Sequence, residues 1–242
     1  MALLLLGAGA TRADDKLVFV AQNSQPKYFI GNPAQKGLCG DIYARLKERL
    51  AARGVGVVLP DTYLPIKRVL KRVETGEADA FCGAGRNADR EKRFHYSTDP
   101  VYGVSNILVT WADNQHAPGS YGEIVDKGIR IGALFGTSGA RHLRENIGHL
   151  IDDRYYTVDE ALKKVADRKL DFFYYHNLGL HYQVRTSKLP IKALPTKFRT
   201  VPQWMIFSHK TSKNLQKMLD NELSAMARDG VLREIWSNYK VN

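Results

Sequence analysis

The first hundred positions alternate short apolar runs with longer segments in which apolar residues recur at helical spacing. The runs LVFVA at 17–21 and VGVVLP at 55–60 are typical of buried strands, and ADAFCGAG at 78–85 predicts a third strand that runs into glycines. Amphipathic helices are predicted over 41–53 and 64–75. Alternating strands and helices predict an α/β lobe with a parallel sheet, whose ligands lie at the carboxyl ends of the strands.

A second unit repeats this pattern further along the chain. Residues 129–136 predict a strand, 136–146 open a helix, 158–169 predict another helix, and 170–175 predict a strand. The sequence therefore predicts a second α/β lobe.

Two extended runs are suited to connecting the lobes. Residues 98–111 are rich in β-branched and aromatic residues, and 199–210 offer a return crossing. The last stretch, 212–236, places apolar residues on one helical face and is interrupted at Gly230. A helix there is predicted to break at the glycine.

Charge and composition narrow the class of protein. The 242 residues include 36 Lys and Arg against 25 Asp and Glu, a formal net charge of +11, with basic and acidic residues interleaved along most of the chain. No basic tail is visible, so we expect no nucleic-acid partner. The longest apolar run, 1–10, is shorter than the ~18 residues of a membrane-spanning helix, which excludes a polytopic membrane protein.

Residues 1–13 and the two cysteines bear on the cellular compartment. The run MALLLLGAGATRA is typical of a secretory signal with cleavage before Asp14, the alternative being a buried N-terminal strand or helix. Cys39 and Cys82 are an even count, which permits one disulfide in an exported protein. Their spacing is equally compatible with two reduced, buried thiols.

Six blocks of sequence, in this order, resemble the extracellular solute-binding proteins of family 3, the polar amino-acid receptors of ABC import systems. The similarity covers residues 16–240, and the blocks are KGLCGDIYARL, ETGEADAFCGAG, REKRFHYSTDPVYGVSNILV, GTSGARHLREN, VDEALKKVADRKLDFF and LQKMLDNELSAMARDGVLREIW. The resemblance implies a periplasmic, monomeric receptor of the type II fold, with two parallel-sheet α/β lobes joined by two crossing strands. Its expected partners are a small carboxylate-bearing ligand and an ABC permease.

The resemblance also implies a division of the chain. Residues 1–13 are a signal-peptide remnant, 14–106 the first part of lobe one, 107–202 lobe two, and 203–242 the return to lobe one with a C-terminal helix. Closure of the lobes on the ligand resembles that of a hinged clamp.

The family's carboxylate-binding arginine corresponds to Arg90, counted back from Tyr96. A guanidinium presents a planar fork of donors that matches both carboxylate oxygens. Arg86 lies one helical turn earlier, and a second arginine there would favour a more acidic ligand. The alternative for each is a solvated surface arginine.

The second anchor implied by the resemblance is the helix start at Thr137 and Ser138. The first N–H groups of a helix lack partners and attract anions, although these hydroxyls would also serve as ordinary caps. In lobe one, Gly83 and Ala84 are expected to offer backbone groups. Tyr28 is a candidate aromatic wall by resemblance, with a core position as the alternative.

His176 stands where amino-acid receptors of the family have an acid for the ligand's α-ammonium. A neutral imidazole is a much weaker partner for an ammonium, so we predict an anionic ligand that does not depend on an amino group. An ordinary histidine pKa of ~6.5 would add a pH response. The alternative is a structural histidine.

The resemblance also implies a disulfide. It places Cys39 and Cys82 at cleft-side ends of lobe one, and we predict that they are bonded.

Enzymatic alternatives remain weaker. Residues 83–88 match a dinucleotide fingerprint, but mostly charged residues and an early proline follow instead of a packed helix. No metal, cofactor or catalytic residue is predicted. A periplasmic lyase on the same scaffold, similar to cyclohexadienyl dehydratase, would use Tyr174, Tyr175, His176 and Glu160. A ligand sensor without a transport role is a third reading.

Overall fold

The computed structural model describes residues 16–32 and 34–239, so the predicted signal segment, 1–13, lies outside the described residues. The first part of lobe one, as far as it is described, contains five strands and three helices. They are β1 (Lys16–Gln22), α1 (Leu38–Ala51), β2 (Gly56–Val58), β3 (Tyr63–Leu64), α2 (Ile66–Thr75), β4 (Ala80–Ala84), α3 (Ala88–Glu91) and β5 (Phe94–Tyr96). The central strand β1 pairs in parallel with β2, β3 and β4. Its near-continuous apolar run fits a strand covered on both faces.

The chain crosses into the second lobe along a long strand, whose first residues pack in the core of the first lobe, and continues with further alternating elements. They are β6 (Tyr102–Trp111), α4 (Tyr121–Asp126), β7 (Ile131–Leu134), α5 (Ser138–Ile147), a 3-10 turn (Gly148–Leu150), β8 (Ile151–Tyr155), α6 (Val158–Ala166), β9 (Phe172–His176), α7 (Asn177–Thr186) and β10 (Ile191–Ala193). Strand β7 is parallel to β8 and β9, and β9 is antiparallel to β6.

Strand β11 (Arg199–Ser208) joins the two lobes. Its first half, Arg199 to Gln203, is antiparallel to β6, and its second half, Trp204 to Phe207, is antiparallel to β4. The register shifts between Trp204 and Met205, where the strand passes from one lobe to the other. The predicted two-lobe α/β fold is confirmed.

The chain ends in α8 (Lys213–Arg228) and α9 (Val231–Ser237), which pack on the first lobe. Gly230 separates them with a φ of 78°, as the predicted break requires. None of the helices in the described ranges is long and apolar enough to cross a membrane.

The predicted disulfide is wrong: Cys39 and Cys82 are both buried, free thiols. Cys39 lies in the first turn of α1, and its Sγ is 3.8 Å from the Tyr102 hydroxyl. Cys82 lies inside β4, where burial raises the pKa of its thiol well above the ordinary value. The family resemblance correctly placed the two residues in the same core, but there they pack as small apolar side chains.

Candidate ligand-binding site

A small cavity that opens to solvent lies between the lobes. Lobe one contributes the residues after β1 and β4, and lobe two contributes the start of α5 and the end of β9. These are strand carboxyl ends and a helix amino end, the places where parallel α/β sheets bind ligands.

Arg90 reaches this cavity from the short helix α3, whose start is fixed by the Asn87 side chain accepting the Arg90 N–H at 3.0 Å. Its Nη1 donates to the Gly85 carbonyl at 2.9 Å, and its Nη2 donates across the cleft to the Gly136 carbonyl at 3.3 Å. The side chain is only 6% exposed, and burial lowers its pKa to about 10. Within residues 16–32 and 34–239, no carboxylate forms an ion pair with it. Among the described residues, Arg90 is thus a buried cation that hydrogen-bonds to neutral carbonyl oxygens and to no carboxylate.

The start of α5 faces Arg90 from lobe two. The Thr137 hydroxyl accepts the Ala140 N–H at 3.0 Å and donates to the Leu134 carbonyl at 3.0 Å, so it serves as the helix cap. The amides of Ser138 and Gly139 have no acceptor among the described residues. Both residues line the cavity. Backbone N–H groups, more than the Thr137 hydroxyl, are therefore what this helix offers an anion.

The lobe-one wall is the glycine-containing end of β4. Gly83 and Gly85 line the cavity, whereas Ala84, also predicted for the site, is buried and does not. Gly83 has a φ of +91°, and a Cβ on it would lie 2.3 Å from the Tyr102 hydroxyl. A side chain at position 83 is therefore excluded by both backbone conformation and space.

Two predicted residues lie away from the cavity. Tyr28 is 2% exposed and donates its hydroxyl to the Cys82 carbonyl at 2.6 Å, so it is a core tyrosine rather than an aromatic wall. Arg86 is half exposed, pairs with Glu91, and lies over the rings of Tyr96 and Trp204. It adds no charge to the lining.

His176 lines the cavity and caps α7. Its Nδ1 accepts the Gly179 N–H at 2.9 Å, which places the neutral ring's hydrogen on Nε2, 3.4 Å from the Ser24 hydroxyl. Burial, with the charge of Lys27 as a smaller contribution, lowers the pKa of His176 well below 6.5. The prediction that His176 changes its charge near pH 6.5 is therefore wrong. Its imidazole is neutral at neutral pH.

Lys27 is a charged lining residue that the sequence analysis did not single out. It follows β1 in the turn NSQPK, is 4% exposed, and donates from Nζ to Gln22 Oε1 at 3.1 Å. Burial lowers its pKa. In the sequence it is one basic residue among many in a polar turn, and no local signal shows that it points inward.

The rest of the lining is neutral. Asn106 and Gln203 bring side-chain amides, and the Tyr174 hydroxyl lies 2.9 Å from that of Tyr121. None of the described residues that line the cavity is Asp or Glu. The lining thus carries two buried cations and no acid.

The lobes are closed on each other around this cavity. The Ser24 hydroxyl of lobe one lies 3.1 Å from that of Tyr175 in lobe two, and Asp89 pairs with Arg141 across the mouth. Lys67 Nζ lies 4.9 Å from the centre of the Phe135 ring. These contacts connect the two lobes beside the cavity, which still opens to solvent.

A hinged, two-lobe α/β chain with its cavity between the lobes has the fold of the type II periplasmic binding proteins. The structure matches an ancestral arginine-binding protein bound to arginine, with a TM-score of 0.77 and 18% identity over 93% of this chain and 98% of the other. It matches the arginine-, lysine-, histidine-binding protein ArtJ from Geobacillus stearothermophilus, with a TM-score of 0.75 and 16% identity over 93% and 94%. A third match is the ancestral amino acid-binding protein AncCDT-1, a precursor of cyclohexadienyl dehydratase, with a TM-score of 0.76 and 18% identity over the same two shares.

The chain belongs to the bacterial extracellular solute-binding proteins, family 3, whose family model matches residues 17–241. A comparison with curated proteins finds no match by sequence. The family predicted from the six sequence blocks is confirmed.

Proposed function

We propose that the protein is a periplasmic receptor that captures a small carboxylate-bearing anion, without an ammonium group, for an ABC permease. The ligand's carboxylate lies on Arg90 and on the free amides of Ser138 and Gly139. Membership of the extracellular solute-binding family supports the receptor role.

The main support for this proposal is that the described lining of the cavity has buried positive charge and no negative charge. Arg90 is buried without an ion-pair partner among the described residues, and the lining described there has no acid. An unpaired buried charge is costly, so an anionic ligand that enters beside Arg90 removes a penalty as well as gaining hydrogen bonds. A ligand ammonium would find no opposite charge in the same space.

The structural neighbours include receptors described as binding arginine, lysine or histidine. At 16 to 18% identity they share the fold with this chain. The position that the sequence resemblance assigns to an ammonium-binding acid holds His176, and that side chain is occupied in capping α7. For this reason we do not extend the neighbours' ligands to this protein.

The lyase interpretation has three of its four candidate residues in the cavity but lacks the carboxylate. Tyr174, Tyr175 and His176 line the cavity, but Glu160 is exposed on α6 and is not part of the lining. No carboxylate among the described lining residues is placed to exchange protons with a ligand. We therefore favour binding over turnover, and a turnover assay with prephenate and arogenate checks this choice.

The proposal is tested by identifying what copurifies with the protein. Protein purified from its own periplasm is denatured, and the released small molecules are analysed by mass spectrometry with and without derivatisation of primary amines. We expect a carboxylate that does not react with the amine reagent. A stoichiometric standard amino acid would contradict the proposal.

A further inference from the structure

Lys27 gives the cavity a second positive centre, separate from Arg90. Arg90 sits beside Gly85 and the start of α5, whereas Lys27 sits beside Gln22 at the end of β1. The charge of Lys27 also acts on His176, at the end of β9, and lowers its pKa. The two cations therefore come from different elements of lobe one, Lys27 from the turn after β1 and Arg90 from α3.

The position of Lys27 is fixed by its backbone. Its carbonyl accepts the Cys39 N–H of the first turn of α1 at 2.8 Å, and a Cβ on Gly37 would lie 2.7 Å from that same carbonyl oxygen. The turn is thus packed tightly against the helix start. The backbone of Lys27 is therefore held in place, and with 4% exposure its side chain is enclosed by the protein rather than extended into solvent.

No acid in the described part of the chain offsets this second charge. Within the described ranges, Lys27 has no carboxylate within ion-pair distance, and Gln22 offers it a neutral oxygen at 3.1 Å. The described lining carries Lys27 and Arg90 with no Asp or Glu. A ligand with one negative charge would leave one of the two cations uncompensated in the cavity.

We propose that Lys27 is a second anion anchor and that the ligand is a small dianion, with one negative group on Arg90 and the other on Lys27. This inference rests on the proposed function, because it assumes that Arg90 holds a carboxylate. A dicarboxylate has two such negative groups. A monocarboxylate that also carries a phosphonate or a sulfonate has them too.

The test compares ligands on the wild-type protein, so it does not depend on a variant that folds. The protein is unfolded in guanidinium, dialysed free of ligand and refolded, then titrated by calorimetry with malonate, succinate, glutarate and adipate. The matched monocarboxylates are acetate, propionate, butyrate and valerate, and 3-phosphonopropionate and 3-sulfopropionate represent the other two sources. We expect at least one dianion to bind about 30-fold or more tightly than its monoanionic match, as for a desolvated charge pair.

Variants then assign the second group to Lys27. Lys27→Met is expected to reduce the affinity for the best dianion by about 30-fold or more, so that the dianion loses its advantage over its monoanionic match. Lys36→Met, which removes an exposed lysine from the same loop, is the control and should match the wild type. Circular dichroism melts confirm that each variant is folded, and Lys27→Gln replaces Lys27→Met where the latter fails to fold.

The outcomes separate this inference from the proposed function. Equal affinity for monoanions and dianions, no binding of any dianion in the panel, or an unchanged dianion affinity in Lys27→Met would each overturn the dianion proposal. The proposed function survives if a monocarboxylate binds tightly and Arg90→Met abolishes that binding. Tight binding of standard amino acids alone would contradict both.

Discussion

Replacing Arg90 with methionine separates the binding role of this residue from its role in stability. Methionine keeps an unbranched side chain of moderate length but removes the guanidinium. By analogy with breaking a desolvated charge pair, the ligand should lose about 2–5 kcal/mol of binding free energy, which is about 30-fold or more in affinity.

The ligand-free protein should respond in the opposite direction. Burial lowers the pKa of Arg90 from 12.5 to about 10, so the charged form costs on the order of 3 kcal/mol in the fold. This cost is fully present at pH 7, because the group is charged in both the folded and the unfolded chain, and it is relieved only above pH 10. The Gly85 carbonyl keeps the Tyr96 hydroxyl at 3.1 Å after the substitution, while the Gly136 carbonyl loses its Arg90 donor. A lost bond of this kind costs about 1–3 kcal/mol. Arg90→Met should therefore be as stable as the wild type, or up to about 2 kcal/mol more stable.

Urea unfolding of ligand-free protein and calorimetry with the best carboxylate of the panel measure the two effects. Arg86→Met is the matched control, because Arg86 lies nearby on the surface outside the cavity; its affinity should stay within about threefold of the wild type. An Arg90→Met variant that binds like the wild type would refute the assignment of Arg90. A stability loss of more than about 2 kcal/mol would refute the argument that its charge is uncompensated.

Three further predictions follow from other parts of the structure. In the wild-type protein the fold keeps the His176 imidazole neutral, so below pH 6.5 only the unfolded chain gains this proton and the free energy of unfolding falls by about 1.4 kcal/mol per pH unit. His176→Asn should remove this dependence, which is measured by comparing urea midpoints at pH 7.5 and 5.5. A variant with the same slope as the wild type would contradict it. Gly83→Ala should destabilise the fold by about 2 kcal/mol or more, because the new Cβ would overlap the Tyr102 hydroxyl and because φ is positive at this position. A melting temperature equal to that of the wild type would show that Tyr102 and the end of β4 can shift to make room. Cys39 and Cys82 should titrate as two free thiols in denaturant without reductant, and a count of zero would show that they oxidise in the native protein.

The fold was predictable because its signals are long and repeated. Alternation of apolar runs and amphipathic segments predicted both lobes, and Gly230 predicted the break between α8 and α9. Arg90 and the helix start at Ser138, both named from the sequence blocks, line the cavity, and their role in binding stays a prediction. Patterns of this length reflect burial of whole elements, which periodicity records directly.

Single side chains were harder to predict, because their direction depends on tertiary packing. Lys27 and Arg86 look equally exposed in the sequence, yet Lys27 is 4% exposed in the cavity and Arg86 is stacked on the surface. Tyr28 lies near the site in the chain, but its hydroxyl turns toward the Cys82 carbonyl. The family resemblance predicted that Cys39 and Cys82 lie in the same lobe, but it could not predict whether their sulfur atoms are placed to form a bond.

The most direct test of the ligand's charge compares one carbon skeleton with and without its amino group. Glutarate and L-glutamate both carry two carboxylates, and they differ in the ammonium that the cavity has no acid to receive. Calorimetric titration of the ligand-free protein with each should show glutarate binding about 30-fold or more tightly. Tighter binding of glutamate than of glutarate would contradict the account and require an ammonium partner that the described lining does not contain.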